Sequence, residues 1–431
     1  MIGPAARLVH ERGPGQDRLA VFDKDNRLLE IWFDPAHQPN LIGTVHRVRL
    51  SRLFFGQNRA TANLADGTAV SIRLRKADMA TIKQGDWVTV TIDAAPRDGK
   101  PWQARMGSRL VARDMILLAG LADDAPRFYL SSHVDAAMRD AMLDRLEHDV
   151  GPLLPAGCGL IARRGAVACH DLAGHAARLC QAWHDRACAV PPHEAGQIHD
   201  GGGLVGRAMR LYPDVPVIDG SSAALADDSI AIDQAVQAAM SPRVPMDRGA
   251  TLWCERTHAL WSIDVDGGGR DDFDRLGAEV AVTAAWQIRV RQMGGPVMLD
   301  MPRLTPAARR TMLNRLATAM MADPRQPEIL GQTRGGLIEI ILPHGEMPPA
   351  DVMRDSPAQE ALAGLRLVAR SAAGHRVGAR PLCLGVSQVV ADWLAADGAP
   401  AMQNLDRPVA LVVWSDGDKT RAPTILDAAP R

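Results

Sequence analysis

The sequence lacks the long apolar segments of a membrane or secreted protein. Of its 431 residues 47% are hydrophobic, yet no apolar run approaches the roughly 20 residues that a membrane helix needs. Residues 1–18 carry proline, glycine, histidine and charge instead of a signal-peptide core. The six cysteines show no paired pattern, which is typical of reduced thiols. These absences predict a cytoplasmic protein without membrane contact, and the length predicts about two to four domains.

An excess of basic charge is also missing. The chain has 49 lysines and arginines against 50 aspartates and glutamates, a net charge of −1. Proteins that bind long nucleic-acid backbones usually carry a basic excess, because neutralised phosphates release counterions. Neutrality therefore argues against tight binding of nucleic acid over the whole surface, although a local basic groove remains compatible with it.

Two aspartates follow apolar stretches that predict neighbouring strands, Asp264 and Asp300. Residues 284–293 between them predict a helix that ends at Gly294 and Gly295. A strand, a helix and a second strand form a crossover unit, which predicts parallel strands in one sheet. Carboxylates at the carboxyl ends of such strands converge where open α/β sheets bind ligands, and hard oxygen ligands suit Mg²⁺ better than zinc. The alternative is that both aspartates only form turns.

The region around these aspartates resembles the catalytic region of the ribonuclease E/G family of bacterial endoribonucleases. Six blocks match the family pattern in order: ALWSIDVDG (259–267), IRVRQMGG (288–295), LD (299–300), LTP (304–306), NRL (314–316) and TRGGLIE (333–339). Fainter matches occur earlier, at 40–45 and around 232–249, so that roughly three quarters of the chain can be placed.

The resemblance implies a multi-domain α/β fold: a ribonuclease-H-like subdomain with an inserted OB-type barrel and a 5′-sensor region, then a DNase I-like catalytic α/β domain. The implied bounds are 1–40 plus 180–245 for the ribonuclease-H-like subdomain, 41–107 for the barrel, 108–179 for the sensor, 246–345 for the catalytic domain and 346–431 for a divergent C-terminal region. In this last region the pattern predicts only a helix at 386–396 and a strand at 409–414.

The predicted barrel rests on alternating apolar and basic residues near 46–52 and 72–76, on a third predicted strand at 87–92 and on Asp-Gly turns. Such barrels bind single strands through a basic groove and stacked aromatic rings. By resemblance Arg97 and Lys100 contact RNA. Phe54, Phe55 and Trp102 are candidate stacking surfaces, with a role in the barrel core as the alternative.

In the sensor region the family holds a 5′-monophosphate with an Arg-Thr pair. Here the matching residues are Arg163 and Arg164, which could clamp a phosphate together or form a surface pair at a strand end. Cys180, His184 and Cys188 recur at helical spacing. Three such ligands would diverge over about 12 Å, so core packing is favoured over a zinc site.

Two positions depart from the family pattern. Asp266 stands where the family usually has asparagine, and the added charge should tighten metal binding but repel phosphate. The cysteine pair that links larger members through zinc into tetramers is missing after Glu339. No zinc and no zinc-linked tetramer are therefore expected, whereas a homodimer or a monomer fits.

The resemblance thus implies a magnesium-dependent endoribonuclease that cleaves single-stranded RNA, in RNA processing or decay, to 5′-phosphate and 3′-hydroxyl ends, with Mn²⁺ as the alternative ion. Asp264 and Asp300 would bind the metal, and Asp266 would join them as a catalytic residue. Arg289 and Arg291 would contact RNA or form a solvated helix face. The competing interpretation is an RNA-binding or assembly protein that has lost catalytic turnover.

Overall fold

A computed structural model describes residues 3–373, 382–405, 408–414 and 422–426. The chain alternates between small sheets and the helices that cover them. The strands are β1 (Ala5–Gly13), β2 (Gln16–Asp23), β3 (Leu28–Pro35), β4 (Val45–Phe54), β5 (Arg59–Asn63), β6 (Ala69–Arg73), β7 (Trp87–Ala94), β8 (Trp102–Met106), β9 (Ser108–Val111), β10 (Met115–Ala119), β11 (Phe128–Leu130), β12 (Cys158–Ala162), β13 (Gly196–His199), β14 (Val217–Ser221), β15 (Arg243–Pro245), β16 (Thr251–Arg256), β17 (Trp261–Asp266), β18 (Gly295–Leu299), β19 (Glu328–Gln332), β20 (Ile338–Leu342), β21 (Leu382–Val386), β22 (Val409–Val413) and β23 (Thr424–Leu426).

The helices connect these strands and bury their apolar faces against them. They are α1 (Lys76–Thr81), α2 (Arg139–Asp149), α3 (Leu172–His184), α4 (Gly203–Leu211), α5 (Ala226–Met240), α6 (Phe273–Val290), α7 (Pro306–Met320), α8 (Pro349–Val352), α9 (Ser356–Ala373), α10 (Gln388–Ala395) and α11 (Ala399–Gln403). In the described ranges of the chain, the search for a helix long and apolar enough to cross a membrane finds none.

The first sheet combines strands that come before the barrel in the sequence with one strand that comes after it. Its strand order is β14-β1-β2-β3, with β14 parallel to β1. Helices α4 and α5 contribute Leu204, Ala208, Ile232 and Val236 to the apolar clusters on this sheet. The sheet and its two helices correspond to the subdomain that was predicted as ribonuclease-H-like, and that finer description remains a prediction.

A closed five-stranded barrel follows, as predicted. Its strands pair in the order β4-β5-β6-β8-β7, and β7 pairs back to β4 to close the cylinder. Closure leaves the interior to side chains such as Val48, Ile72 and Val90, all at most 1% exposed. Strand β13 lies outside this closed set and pairs with β4.

The predicted boundary at residue 180 falls inside α3. This helix packs against the sensor sheet, whose strand order is β11-β12-β10-β9, and it buries Leu172, Ala176 and Leu179 there. Cys180 packs against the same cluster. The structure therefore groups α3 with this sheet, which is called the sensor sheet here after the prediction for its region, because the apolar face of α3 packs into the core of that sheet.

The sheet that carries Asp264 is mixed, with the order β15-β16-β17-β18-β20-β19. Strands β17 and β18 are parallel and joined by α6, which confirms the predicted crossover. The helix begins at Phe273, about three turns before the predicted start. Helices α6 and α7 cover one face of this sheet, where Ile263, Leu299 and Ile340 are fully buried.

The C-terminal region forms a separate three-stranded sheet with the order β22-β21-β23. Helix α9 packs on it through Ala361, Leu365 and Val368. The predicted helix at 386–396 corresponds to α10, and the predicted strand at 409–414 corresponds to β22.

Candidate functional site

Asp264 and Asp300 lie side by side at the carboxyl ends of β17 and β18. The parallel register pairs Ile263 with Leu299, and the Asp300 amide donates to the Ile263 carbonyl over 2.8 Å. The next step of this register places Asp264 beside Asp300, on strands about 4.8 Å apart. Ile263 and Leu299 point into the core, so the two aspartates point to the opposite face, where both are exposed.

This opposite face is the open side of the sheet. Trp253 is 37% exposed, Ile341 39% and Leu330 51%, whereas their strand neighbours Cys254 and Leu342 are buried beneath α6 and α7. The handedness of the β17-α6-β18 crossover determines the side on which α6 lies, and α7 packs on that side through Met312, Leu316 and Met320. A ligand can therefore approach the aspartates across a flat surface.

Asp266 lies on the same face, two residues after Asp264. Its Oδ1 accepts a hydrogen bond of 2.9 Å from the Gly268 amide, which holds the turn after β17. Gly268 has φ +60°, and a Cβ there would lie 2.2 Å from the Gly249 carbonyl oxygen. The turn is therefore tied both to Asp266 and to the segment before β16.

The donor set at Asp264 and Asp300 fits a hard cation. Both side chains offer carboxylate oxygens from a solvent-exposed face, where a cation such as Mg²⁺ keeps several waters. Within the described residues, the one group of three or more His, Cys, Asp and Glu side chains with converging ligand atoms lies elsewhere, at Asp114, Cys169 and His175. The three aspartates of the open face thus form no closed cage.

The group at Asp114 is better described as a buried hydrogen-bonded cluster. Asp114 is paired with Arg113 at 3.0 Å, and its Oδ2 lies 2.8 Å from His175 Nδ1. Cys169 Sγ approaches the same nitrogen at 3.5 Å. Burial raises the pKa of the Cys169 thiol, which disfavours the thiolate that metals prefer.

A row of four side chains crosses the open face at the level of the aspartates. The antiparallel registers pair Arg243 with Trp253 and Trp253 with Asp264, and Asp300 follows on β18. The row spans about 14 Å across four strands. Arg243 and Trp253 were not predicted as site residues, because Leu252, Trp253 and Cys254 form one apolar run and only the structure shows that Trp253 is the exposed member.

Arg289 and Arg291 are not at this surface, which corrects their prediction as RNA contacts. They are 4% and 5% exposed. Arg289 Nε lies 2.6 Å from Glu30 Oε1, and Arg291 donates from Nε to Gln287 Oε1 over 2.7 Å. Both guanidinium groups therefore form hydrogen bonds inside the protein, near the C-terminal end of α6.

The Arg163 guanidinium is also hydrogen-bonded within the protein. Its guanidinium donates to the carbonyls of Ala112 at 2.7 Å and Pro324 at 2.9 Å. Burial lowers the pKa of Arg163 to about 10. The side chain thus joins the sensor sheet to the segment after α7, whereas its neighbour Arg164 is half-buried with no such bond among the described residues. The structure does not pair the two arginines as a phosphate clamp.

Arg97 and Lys100 flank the tight turn at Asp98 and Gly99, where both φ angles are positive. They line a cleft of about 100 Å³ between the barrel and the loop before β17. Burial and the charge of nearby Arg256 lower the pKa of Arg97. This cleft lies at the amino-terminal end of β17, about 10 Å along the strand from Asp264.

The barrel aromatics differ from one another. Trp102 is 8% exposed and belongs to the barrel core, so it is not available for stacking. Phe55 is 67% exposed, which corrects the core alternative for this residue. Phe54 is half-buried under the guanidinium of Arg52, 4.8 Å from its ring centre.

The match to a known family covers the sheet that carries Asp264 and Asp300. The profile of the Ribonuclease E/G family matches residues 221–342, a segment that holds Asp264, Asp300 and the whole mixed sheet. Similar proteins include a chloroplastic Ribonuclease E/G-like protein of Arabidopsis thaliana, 31% identical over 26% of this chain. A Ribonuclease E of Nostoc sp. is 31% identical over 25% of this chain.

The longest of these matches is to Ribonuclease G of Escherichia coli, 22% identical over 78% of this chain and 79% of that protein. The Arabidopsis and Nostoc proteins are matched over only 12% and 17% of their own lengths. The predicted resemblance is confirmed: residues 221–342 match the ribonuclease E/G family, and the similarity to Ribonuclease G extends over 78% of the chain.

Proposed function

We propose that this protein is a magnesium-dependent endoribonuclease that cleaves single-stranded RNA to 5′-phosphate and 3′-hydroxyl ends. The observation that supports this most is the side-by-side register of Asp264 and Asp300 on an open sheet face. The matches to proteins named ribonuclease give the reaction class.

The proposed chemistry follows from the two exposed carboxylates of Asp264 and Asp300. A bound Mg²⁺ lowers the pKa of a coordinated water and offsets the charge of the phosphate. Asp264 and Asp300 would hold and orient such an ion, because their strands place both carboxylates side by side on one face of the sheet. Asp266, tied to Gly268, adds negative charge beside the pair. The open face admits a single strand without requiring a deep pocket.

Two cation sets contribute to RNA binding in this proposal. Lys100 is exposed and Arg97 half-buried, so both are accessible at the barrel cleft. Arg164 is the accessible member of the sensor pair. The guanidinium groups of Arg163, Arg289 and Arg291 are hydrogen-bonded within the protein and do not contribute to RNA binding in this proposal.

The test is cleavage of a 5′-labelled single-stranded RNA with and without Mg²⁺. Asp264→Asn and Asp300→Asn should each lower the rate by more than about 100-fold, since even outer partners of metal ligands are worth 10- to 100-fold. The matched control is Glu328→Gln, which removes an exposed carboxylate from the edge strand β19. Unchanged cleavage by either aspartate variant would contradict the proposal.

The competing function is an RNA-binding or assembly protein without turnover. The neutral overall charge and Asp266 favour it. It predicts RNA binding without cleavage at any concentration of Mg²⁺ or Mn²⁺, in the same assay and with the same RNA.

A further inference from the structure

The four-residue row on the open face has two members that the proposed metal pair does not use. Trp253 lies directly across from Asp264 in the antiparallel register of β16 and β17. Arg243 lies directly across from Trp253 on the edge strand β15. Side chains that face each other in this way have Cβ atoms about 4.5–5.5 Å apart.

Neither side chain is explained by packing. Trp253 is 37% exposed, while Leu252 and Cys254 on either side of it are at most 3% exposed. Arg243 is exposed on the same face. In the part of the chain that the structure describes, its guanidinium has no hydrogen bond or ion pair, and the bonds between Arg243 and the Ser241 hydroxyl involve the Arg243 backbone.

The side chains of the row change in charge from negative at one end to positive at the other. Two carboxylates suited to a cation stand at one end, a large aromatic face follows, and an unneutralised guanidinium stands at the other end. A single nucleic-acid strand presents the complementary groups, because phosphates alternate with bases that stack on aromatic rings. The spacing of about 4.8 Å between strands brings each group next to its neighbour.

We propose that Trp253 and Arg243 are positioning residues for single-stranded RNA. Trp253 stacks on a base adjacent to the phosphate that a metal ion on Asp264 and Asp300 would bind, and Arg243 binds a phosphate further along the strand. This inference rests on the proposed nuclease function and extends it by naming where a neighbouring nucleotide is held. It also predicts that the RNA crosses the β15–β18 strands instead of running along them.

The decisive experiment uses short RNAs with one cleavage site in which single nucleotides near that site are replaced by abasic ones. In the parent protein, one such replacement should lower kcat/KM about 5- to 150-fold, the range for loss of one stacked base. Trp253→Ala should cause a similar loss on intact RNA and then be insensitive to that replacement. Trp253→Phe should restore most of the rate and of the sensitivity.

Arg243 is tested by salt dependence. Arg243→Gln should reduce the slope of log affinity against log salt by about 0.7, the value for one phosphate contact on a single strand, and Arg243→Lys should restore it. Leu330→Ala is the matched control, because it removes another exposed apolar side chain from the same face, outside the row. It should change neither the abasic profile nor the slope.

Binding of the same RNAs to Asp264→Asn, by fluorescence anisotropy, separates this inference from the nuclease proposal. If the parent does not cleave, the nuclease proposal fails, yet an abasic-sensitive affinity that depends on Trp253 would still support the row. The inference is overturned if Trp253→Ala keeps the parental abasic profile. It is also overturned if Trp253→Ala changes only the oligomeric state in sedimentation, since the face would then be a protein interface.

Discussion

At the scale of single residues, Arg289 shows how a side chain at a helix end can be structural. It contacts both Glu30 of β3 and Tyr212, whose hydroxyl also donates to Glu30. The three groups are nearly inaccessible to solvent. Burial raises the pKa of Tyr212 well above its ordinary value, so the phenol stays protonated and acts as a donor. The guanidinium is therefore what balances the Glu30 carboxylate.

Replacing Arg289 with alanine should lower the free energy of unfolding by about 3–5 kcal/mol, because it leaves a buried carboxylate unpaired. Urea unfolding of parent and variant measures this. The double variant Glu30→Gln with Arg289→Met should recover part of the loss, since no charge is then left alone. A variant of parental stability but weakened RNA binding would return Arg289 to the role predicted from the sequence.

His46 gives the barrel a dependence on pH. It is 7% exposed, its Nε2 lies 2.8 Å from the Thr44 hydroxyl, and burial lowers the pKa of His46 to about 4. Between the ordinary histidine pKa of 6.5 and about 4, the unfolded chain binds a proton that the folded chain does not. Stability from this residue is therefore present above pH 6.5 and is lost as the pH falls.

We expect His46→Gln to lose less stability than the parent between pH 7 and pH 4, by up to roughly 3 kcal/mol. Unfolding in urea at both pH values measures the difference. His344, whose pKa burial also lowers to about 4, titrates in both proteins and so cancels. Equal losses of stability in the two proteins would show that the pKa of His46 is not lowered in the folded protein.

At the scale of elements, the turn between β17 and α6 determines where Asp266 lies. Its Oδ1 bonds the Gly268 amide, and an asparagine side-chain oxygen can accept the same bond. Asp266→Asn should therefore preserve thermal stability while removing one negative charge beside Asp264. We expect cleavage by this variant to need a higher Mg²⁺ concentration for half-maximal rate, with Asp247→Asn as an exposed control nearby. An unchanged magnesium dependence and rate would argue against any role for Asp266.

The crossover that positions Asp264 and Asp300 was predictable, because the handedness and parallel pairing of such units follow from chain geometry. The start of α6 was not. Residues 273–283 mix charged and apolar side chains, and only the tertiary contacts of Leu276 and Val280 with the sheet reveal the buried face. The predicted boundary at residue 180 divided α3 in the same way, because the spacing of its apolar residues does not indicate which core the helix packs against.

The misplaced arginines have a different cause. Arg289 meets Glu30 across 259 positions of the sequence, and Arg163 meets Pro324 across 161. The local sequence pattern contains no information on such distant partners. A basic residue close to the site in the sequence was therefore predicted to contact the ligand. Trp253 and Arg243, by contrast, follow from the register once Asp264 is placed, since directly opposed residues share a face.

At the scale of the whole molecule, α3 shares a core with the sensor sheet although the chain leads from it to β13 and α4. Its apolar residues pack with Leu117 and Leu160 of the sensor sheet. Trp183 near its end stacks on His199 of β13, with ring centres 5.0 Å apart. The helix should therefore open together with the sensor sheet, because local unfolding proceeds in units that share a core.

Hydrogen exchange of the full-length protein can test this assignment. Leu117→Ala removes a fully buried side chain from the sensor core and should cost about 2–5 kcal/mol locally. Exchange in α3 should then accelerate together with β10 and β12, while α4 and α5 keep their parental rates. The matched variant Leu19→Ala, in the core of the first sheet, should accelerate α4 and leave α3 unchanged. If α3 instead followed Leu19→Ala, the boundary at residue 180 that the sequence predicted would be the better description, and the helix contacts with the sensor sheet would be energetically minor.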